Sequence, residues 1–312
     1  MLPWKAYHKA RLLPYRAAGA EILGGLLLGL GIHASRRVPG FIDDLRELKE
    51  HWRDQREQAR VDKVAALAQL PLDKFTKEVP FIVSKLEDPN PLMRNAAVQA
   101  LAQLPADTLA AHAPTIVGKL DDSHWVVRTA AVEALAKLPA EALAANAIPP
   151  LVELVRSGSA EGKANAATAL RNLAANAENR VTIASAGAIP PLVELVRSGS
   201  AEGKANAAAA LGNLAANAEN QVTIASAGAI PPLVELVRSG SAEGKANAAA
   251  ALGNLAANAE NQVTIASAGA IPPLVELVHS GSAEGKANAA TALSNLAANN
   301  AENQATIASA GV

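Results

Sequence analysis

Asparagine side chains recur at a fixed spacing through the second half of the chain. Eight of them form four pairs, and the two members of each pair are seven residues apart. On an α-helix this spacing places both side chains on one face, two turns apart. A side-chain amide offers two donors and one acceptor, which complement a peptide unit. The residues are Asn165, Asn172, Asn206, Asn213, Asn247, Asn254, Asn288 and Asn295.

Groups that could catalyse a reaction do not converge in this sequence. The six histidines form no pair at metal-ligand spacing, and the chain has no cysteine. The motifs HExxH, GxSxG and GxxxxGK are absent, and no Lys-Ser pair follows the glycine-rich stretch that begins at Gly24. The sequence therefore predicts a protein that is not an enzyme, with no catalytic residues, no metal and no cofactor.

The composition indicates helices and an intracellular protein. Half of the 312 residues are apolar but only 3% are aromatic, and alanine dominates, which favours an all-α fold. The net charge is −1, and the acidic second part of the chain lacks the stripe of Lys and Arg that phosphate binding requires. Nucleic acid is therefore not an expected partner. The absence of cysteine fits a reducing compartment.

The asparagine pairs lie within a long repeat. The run IPPLVELV begins at Ile148, Ile189, Ile230 and Ile271, and consecutive copies are always 41 residues apart. A fixed period of this length is typical of a solenoid, in which each unit packs only on its neighbours.

Each period predicts three helices. In the second copy a short helix ends at Gly187, and a second helix begins at Ile189 with two prolines in its first turn. That helix ends at Gly199. Ser200 is then the predicted N-cap of a third helix, which runs to about Ala216 and carries one asparagine pair.

The segments GAIPPLVELV, AALGNLA and ENQVTIASAG resemble armadillo repeats, and the resemblance covers residues 147–312. It implies a right-handed α-α superhelix of three-helix units, whose third helices line a concave groove that binds extended peptides or partner proteins. In that family, the asparagine that matches Asn172, Asn213, Asn254 and Asn295 holds the main chain of the bound peptide.

The resemblance is incomplete at one set of positions. Family members that bind basic localisation signals carry tryptophan four residues before that asparagine, whereas this chain has Thr168, Ala209, Ala250 and Thr291. Recognition of such signals is therefore not expected. A structural interpretation of the asparagines also stays open, in which each amide caps or bridges neighbouring repeats. The near-identical copies fit natural duplication and consensus design equally well.

Residues 62–146 follow a shorter period of 34 residues and resemble HEAT repeats of two helices each. Asp88 precedes Arg94 by six residues, and Asp122 precedes Arg128 by the same distance. In the HEAT family such residues form a structural hydrogen-bonded ladder along the stack. Because AANAIPPLVELV joins the two repeat types without a Gly- or Ser-rich linker, the sequence predicts one continuous solenoid.

The N-terminal segment, residues 1–40, is basic and then apolar, and a charged helix is predicted over 41–61. Residues 17–34 are interpreted as a short membrane span, although as a helix they are marginally shorter than a hydrocarbon core, and Gly25 and Gly29 form a GxxxG pair suited to helix contact in lipid. A targeting segment and a soluble helix that packs on the solenoid are the alternatives.

The sequence predicts a non-enzymatic scaffold that binds a protein or an extended peptide on the concave face. One alternative is a structural subunit of an organellar membrane complex, anchored by residues 17–34 in a mitochondrion or plastid. A second alternative is a HEAT-like enzyme such as a phycobilin lyase. The last repeat has no polar cap, which leads us to expect end-to-end association, or a partner that covers it.

Overall fold

A computed structural model describes residues 41–298 and 300–311. These residues form nineteen α-helices and two short 3-10 helices, with no strand among them, which confirms the predicted all-α solenoid. Their contacts divide the chain into two units, Met1–Asp62 and Lys63–Val312. The predicted charged helix is present as α1, Phe41–Leu67. The candidate membrane span 17–34, with Gly25 and Gly29, lies outside the described residues.

The HEAT-like part consists of helix pairs, as predicted, with one difference. The first helix of the second pair is broken at His112, where α4 ends and α5 begins. Pro114 lies in the first turn of α5, and proline cannot donate the hydrogen bond that would continue α4. The helices are α2 (Leu72–Ser84), α3 (Pro91–Leu101), α4 (Ala106–Ala111), α5 (Ala113–Gly118) and α6 (Trp125–Leu135). Two 3-10 turns, Lys85–Glu87 and Lys119–Asp121, precede α3 and α6.

The two repeat types join without a linker. Helix α7, Ala140–Asn146, is separated from α8, Ile148–Ser157, by Ala147 alone. Ala147 and Ile148 are both fully buried, so the core continues through the join.

The armadillo-like part repeats three kinds of helix, which we call short, middle and inner helices. The short helices are α10 (Ala177–Ser185), α13 (Ala218–Ser226), α16 (Ala259–Ser267) and α19 (Ala301–Ser309). The middle helices are α8, α11 (Ile189–Ser198), α14 (Ile230–Ser239) and α17 (Ile271–Ser280). The inner helices are α9 (Ala160–Leu173), α12 (Ala201–Leu214), α15 (Ala242–Leu255) and α18 (Ala283–Ala297).

Local sequence signals set the ends of these helices. The hydroxyl of Ser200 accepts from the N–H of Gly203 at 3.1 Å, which confirms the predicted N-cap. Gly187 has φ +77°, so it ends the short helix in the left-handed conformation that glycine adopts readily. Gly199 ends the middle helix for another reason. Its backbone is extended, but a Cβ there would lie 2.5 Å from the carbonyl oxygen of Leu195.

One apolar core runs through the second unit, from Phe75 to Ile307. Each inner helix packs on the next, and small residues let the backbones approach closely. A Cβ on Gly212 of α12 would lie 3.4 Å from the Cα of Ala251 on α15. The alanine-rich composition therefore reflects close helix packing rather than low-complexity sequence.

Among the described residues, no single helix is long and apolar enough to cross a membrane. Helices α16 and α17, which are bent by 83° at the break between them, satisfy that length and composition test only as a pair.

Candidate functional site

The asparagine pairs lie on one face of the inner helices, which we call the Asn face. On α12 this face carries Glu202, Asn206, Ala209 and Asn213, at the spacing of successive helical turns. Glu202 is exposed, whereas Ala209 and Asn213 are half-buried and Asn206 is only 6% exposed. The same arrangement recurs on α9, α15 and α18, so the face extends across four stacked helices.

The second asparagine of each pair bridges neighbouring repeats. Asn213 donates its Nδ2 to the main-chain oxygen of Arg171 at 2.9 Å, and Arg171 belongs to the preceding inner helix. Asn254 and Asn295 do the same at 2.9 Å, with Gly212 and Gly253 as acceptors. Carbonyl groups in the last turn of a helix have no partner within that helix. These amides therefore cap the inner helix of the repeat before.

The first asparagine of each pair bridges in the same direction, near the start of the inner helix. Asn247 donates to the carbonyl of Ala205 at 3.1 Å, and Asn288 donates to that of Ala246 at 3.1 Å. The bond from Asn206 to Ala164 is longer, at 3.4 Å. Asn165 reaches across the join between the repeat types and donates to Leu120 at 3.0 Å.

These bonds fix each amide and leave part of it unused. An Asn side chain has two N–H donors and an acceptor oxygen, and a bridging bond uses one donor. In Asn213, Asn254 and Asn295 the oxygen and the second N–H have no hydrogen-bond partner among the residues that the structure describes. The asparagine amides therefore bridge neighbouring repeats, which the sequence analysis left open as one interpretation. Their free oxygen and N–H groups still match the donor and acceptor of a peptide unit.

Asn172 differs from its three counterparts. It is exposed, and its side chain makes no hydrogen bond within the described part of the chain. The inner helix before it is α6 of the HEAT-like part, and α9 meets that repeat mainly at the 3-10 turn Lys119–Asp121. No carbonyl of an armadillo-like neighbour is therefore available to Asn172.

The positions where basic-peptide binders carry tryptophan form no aromatic slots here. Ala209 and Ala250 are half-buried methyl groups. The hydroxyls of Thr168 and Thr291 bond back to carbonyls one turn earlier in their own helices, at 3.0 Å and 2.9 Å. The centre of the Asn face is therefore lined by small side chains rather than by aromatic rings.

The HEAT-like ladder has the geometry that the resemblance implies. Arg94 donates from Nε and Nη2 to the two carboxylate oxygens of Asp122 in the next repeat, both at 2.7 Å. Asp122 also accepts from the N–H of His124 at 2.9 Å, and Asp88 accepts from the N–H of Asn90 at 3.0 Å. Arg128, also predicted to belong to the ladder, donates to the carbonyl of Asp122 at 2.9 Å and forms no hydrogen bond with an acidic side chain among the described residues, so the ladder stops at the join between the repeat types.

The environment of Asp122 favours its charged form. Burial alone raises the pKa of Asp122, but hydrogen bonds from Arg94 and from the N–H of His124 outweigh it, together with the charges of Arg94 and Lys119. The net result is a pKa below the ordinary value. The Arg94–Asp122 pair is therefore a structural contact that weakens in acid.

Sequence reasoning missed a second set of structural amides, on the short helices. Gln221 donates to the carbonyl of Ala215 at 2.9 Å, and Asn220 donates to that of Leu214 at 3.1 Å. Both carbonyls lie at the C-terminal end of an inner helix, and both side chains are buried. The signal was the pair Asn-Gln, which recurs three and four residues after the N-cap asparagine in three of the four short helices. In the first copy, the pair is Asn179-Arg180.

No group of three or more His, Cys, Asp or Glu side chains that could hold a metal occurs among the described residues. Gly25 and Gly29, the predicted helix contact in a membrane, lie outside those residues.

Family models match most of the described chain. Two matches to HEAT repeats cover residues 45–136 and 79–171. Three matches to the armadillo/beta-catenin-like repeat cover residues 176–216, 217–257 and 258–298. No curated protein matches the chain.

Several solved structures are similar to it. A designed armadillo repeat protein is 35% identical, with TM-score 0.57, and the match covers 70% of this chain and 100% of that one. A computationally designed armadillo repeat protein for modular peptide recognition is 35% identical, with TM-score 0.56, and coverage of 70% and 99%. A designed armadillo repeat protein in complex with peptide (KR)4 is 31% identical, with TM-score 0.56, and coverage of 70% and 99%.

Proposed function

The chain belongs to the armadillo repeat family, with HEAT repeats before the armadillo repeats, and we propose that it is a non-enzymatic scaffold that binds an extended peptide on the Asn face. The observation that carries the proposal is the fixed amide on three of the inner helices, at Asn213, Asn254 and Asn295. Its orientation is set by a bond to the neighbouring repeat, while an oxygen and an N–H remain for a ligand.

The expected ligand is recognised by its main chain rather than by large side chains. An extended peptide presents an N–H and a C=O at each residue, and the free groups of Asn213 and Asn254 match both. Thr168 and Ala209 offer no aromatic wall to hold a long side chain. We therefore propose a ligand defined by its extended shape, with weak dependence on its sequence.

The designed relatives support a peptide ligand for this fold. One is described as made for modular peptide recognition, and another is bound to the peptide (KR)4. Glu202 and its equivalents give the Asn face one exposed carboxylate per repeat, so a basic octapeptide such as (KR)4 is a suitable first probe.

Fluorescence anisotropy with labelled (KR)4 and with a neutral octapeptide tests the proposal. We expect Asn172→Ala to weaken the binding of both peptides about fivefold, because one hydrogen-bonded contact with the peptide main chain is lost. Since Asn172 makes no bridging bond, this variant should keep the melting temperature of the parent protein. Thr223→Ala, at an exposed site on a short helix, is the matched control and should bind as the parent does.

One combination of results would contradict the proposed peptide binding. If Asn172→Ala and Asn213→Ala bind both peptides as tightly as the parent, while Asn213→Ala alone lowers the melting temperature, the amides serve only to join the repeats.

We also propose an intracellular location, which rests on the absence of cysteine. Membrane attachment through residues 17–34 is the alternative that places the chain in a membrane complex. Alkaline carbonate extraction of the full chain from cells separates the two. Release into the soluble fraction excludes a membrane span, and retention in the pellet supports the membrane subunit.

A further inference from the structure

A carboxylate sits at the start of one inner helix. The Asp121 side chain, from the preceding HEAT repeat, accepts from the main-chain N–H of Ser159 at 3.2 Å and from the Ser159 hydroxyl. Ser159 is the N-cap of α9. Gly162, in the first turn, lies against the same carboxylate, and a Cβ there would collide with it. The beginning of α9 is therefore a site built around a carboxylate.

The next two inner helices begin with the same residues but have no such carboxylate. Ser200 and Ser241 are the N-caps of α12 and α15, and glycine again stands three residues later. No acidic side chain accepts from the main-chain N–H of Ser200 or Ser241 among the residues that the structure describes. A Cβ on Gly203 would lie 3.2 Å from side-chain atoms of Leu195 and Ser200, and no carboxylate is among its nearest neighbours, in contrast to Gly162.

In the armadillo-like repeats, arginines occupy the sequence position that corresponds to Asp121. Asp121 stands three residues before the N-cap of α6, and Arg156 and Arg197 hold the same place before the N-caps of α9 and α12. Two clefts open there, one per repeat, with volumes of about 390 Å³ and 230 Å³. Arg156 and Ser200 line the first, and Arg197 and Ser241 line the second.

Each cleft holds a second cation with a counterpart in the HEAT-like part. Lys163 and Lys204 are the fourth residues of their helices, as Arg94 is of α3. Arg94 binds Asp122 in the turn of the next repeat, whereas Lys163 lines a cleft whose turn carries Ser198 in the place of that acid. Lys163 and Lys204 are half-buried and form no salt bridge within the described residues.

The remaining charges of the clefts are largely satisfied. Arg156 pairs with Glu153, and Glu194, which lines the first cleft, pairs with Arg197, in each case at 2.7 Å. The half-buried lysine is therefore the cation without a salt bridge in each cleft, although it interacts electrostatically with Glu194 in the first and with Glu235 in the second. It lines the cleft together with the N-cap serine of the next inner helix, where the helix dipole also favours an anion.

We infer that the two clefts bind side-chain carboxylates of an acidic protein segment, one carboxylate per repeat. In each cleft the N-cap serine and the lysine would act on the ligand as Ser159 and Arg94 act on Asp121 and Asp122. A segment with several carboxylates can occupy both clefts at once, so its second contact forms at high effective concentration. This site is distinct from the Asn face, which carries the inner-helix asparagines.

Fluorescence anisotropy with labelled octaglutamate at low ionic strength tests the inference. We expect Lys204→Glu to weaken binding about fivefold, which corresponds to about 1 kcal/mol. Lys286→Glu makes the same charge change at an exposed lysine that lines neither cleft, and it should weaken binding less than twofold. Circular dichroism of each variant should retain the helical spectrum of the parent.

A second variant tests whether the cleft at Ser241 is equivalent to the site where Asp121 binds Ser159. Arg197→Asp places a carboxylate at the position that Asp121 holds relative to Ser159, so we expect it to compete with the ligand and to weaken octaglutamate binding. Octaglutamate binding as tight as that of the parent protein would contradict the equivalence.

Three results would overturn the inference. The first is no binding of octaglutamate at low ionic strength, and the second is equal loss of binding in Lys204→Glu and Lys286→Glu. The third is acetate competing as effectively per carboxylate as octaglutamate does, because the site would then take a single free anion rather than an acidic segment.

Discussion

Asn254 donates its side-chain amide to the main-chain oxygen of Gly212 at 2.9 Å, although 42 residues separate the two. The acceptor lies in the last turn of α12, where the helix provides no N–H of its own. Replacement of Asn254 by alanine should therefore lower the free energy of unfolding by about 1–2 kcal/mol, because a part-buried carbonyl loses its partner. Urea denaturation followed by circular dichroism measures this loss.

Asn172→Ala is the matched control for that prediction. It removes the same amide from the same helix position, but no bridging bond is lost, so the free energy of unfolding should change by less than about 0.5 kcal/mol. Equal losses in the two variants would show that the bridge contributes nothing to stability.

Close packing of the inner helices predicts that added volume is costly at the buried glycines. A Cβ on Gly253 would lie 3.3 Å from the Cα of Ala292, so Gly253→Val should destabilise the protein by about 1–3 kcal/mol. The matched position on α18 is Ser294, which is exposed. Ser294→Val should change stability by only a few tenths of a kcal/mol, mainly through helix propensity. Thermal melts of both variants measure these changes. Equal losses of stability in the two variants would show that Gly253 is not needed for packing.

The Arg94–Asp122 pair should contribute far more than the surface pairs on the middle helices. Its side chains are 12% and 6% exposed, and the contact is bidentate. Asp122→Ala leaves a largely buried guanidinium without its partner, so we expect a loss of about 2–4 kcal/mol in the free energy of unfolding. Arg197→Ala breaks a pair in which both side chains are 57% exposed, and the loss should stay below about 1 kcal/mol.

The same pair should make stability depend on pH. The pKa of Asp122 in the folded protein lies below its ordinary value of 3.8, so its contribution is present above that value and is lost as the pH falls through the lower pKa. Asp122→Asn removes this titration. Urea denaturation of both proteins should show a large difference at pH 7 that shrinks toward pH 2, and a constant difference would contradict the assignment.

The helices could be predicted from the sequence because their signals are local. Proline after Ile189, serine at position 200 and glycine at position 187 each act within one turn of the chain, and the 41-residue period shows which units stack. The break at His112 was missed, although Pro114 is a local signal for it. Two helices were predicted for each HEAT-like repeat, and the break divides the first helix of the second repeat into α4 and α5.

The candidate sites depend on contacts that one repeat makes with the next. The spacing of residues along the sequence does not determine those contacts. The seven-residue spacing predicted that Asn206 and Asn213 lie on one helix face. It did not show that both amides donate to carbonyls of the preceding repeat. The clefts at Lys163 and Lys204 form only when two turns stack.

The central claim is that the Asn face binds the main chain of a peptide, and the side-chain amide signals of the asparagines report on it directly. We predict that titration with an unlabelled octapeptide shifts the ¹⁵N–¹H side-chain signals of Asn172, Asn213 and Asn254, and leaves those of the N-cap residues Asn217 and Asn258 in place. Shifts confined to the N-cap asparagines, or no shift at saturating peptide, would contradict the claim.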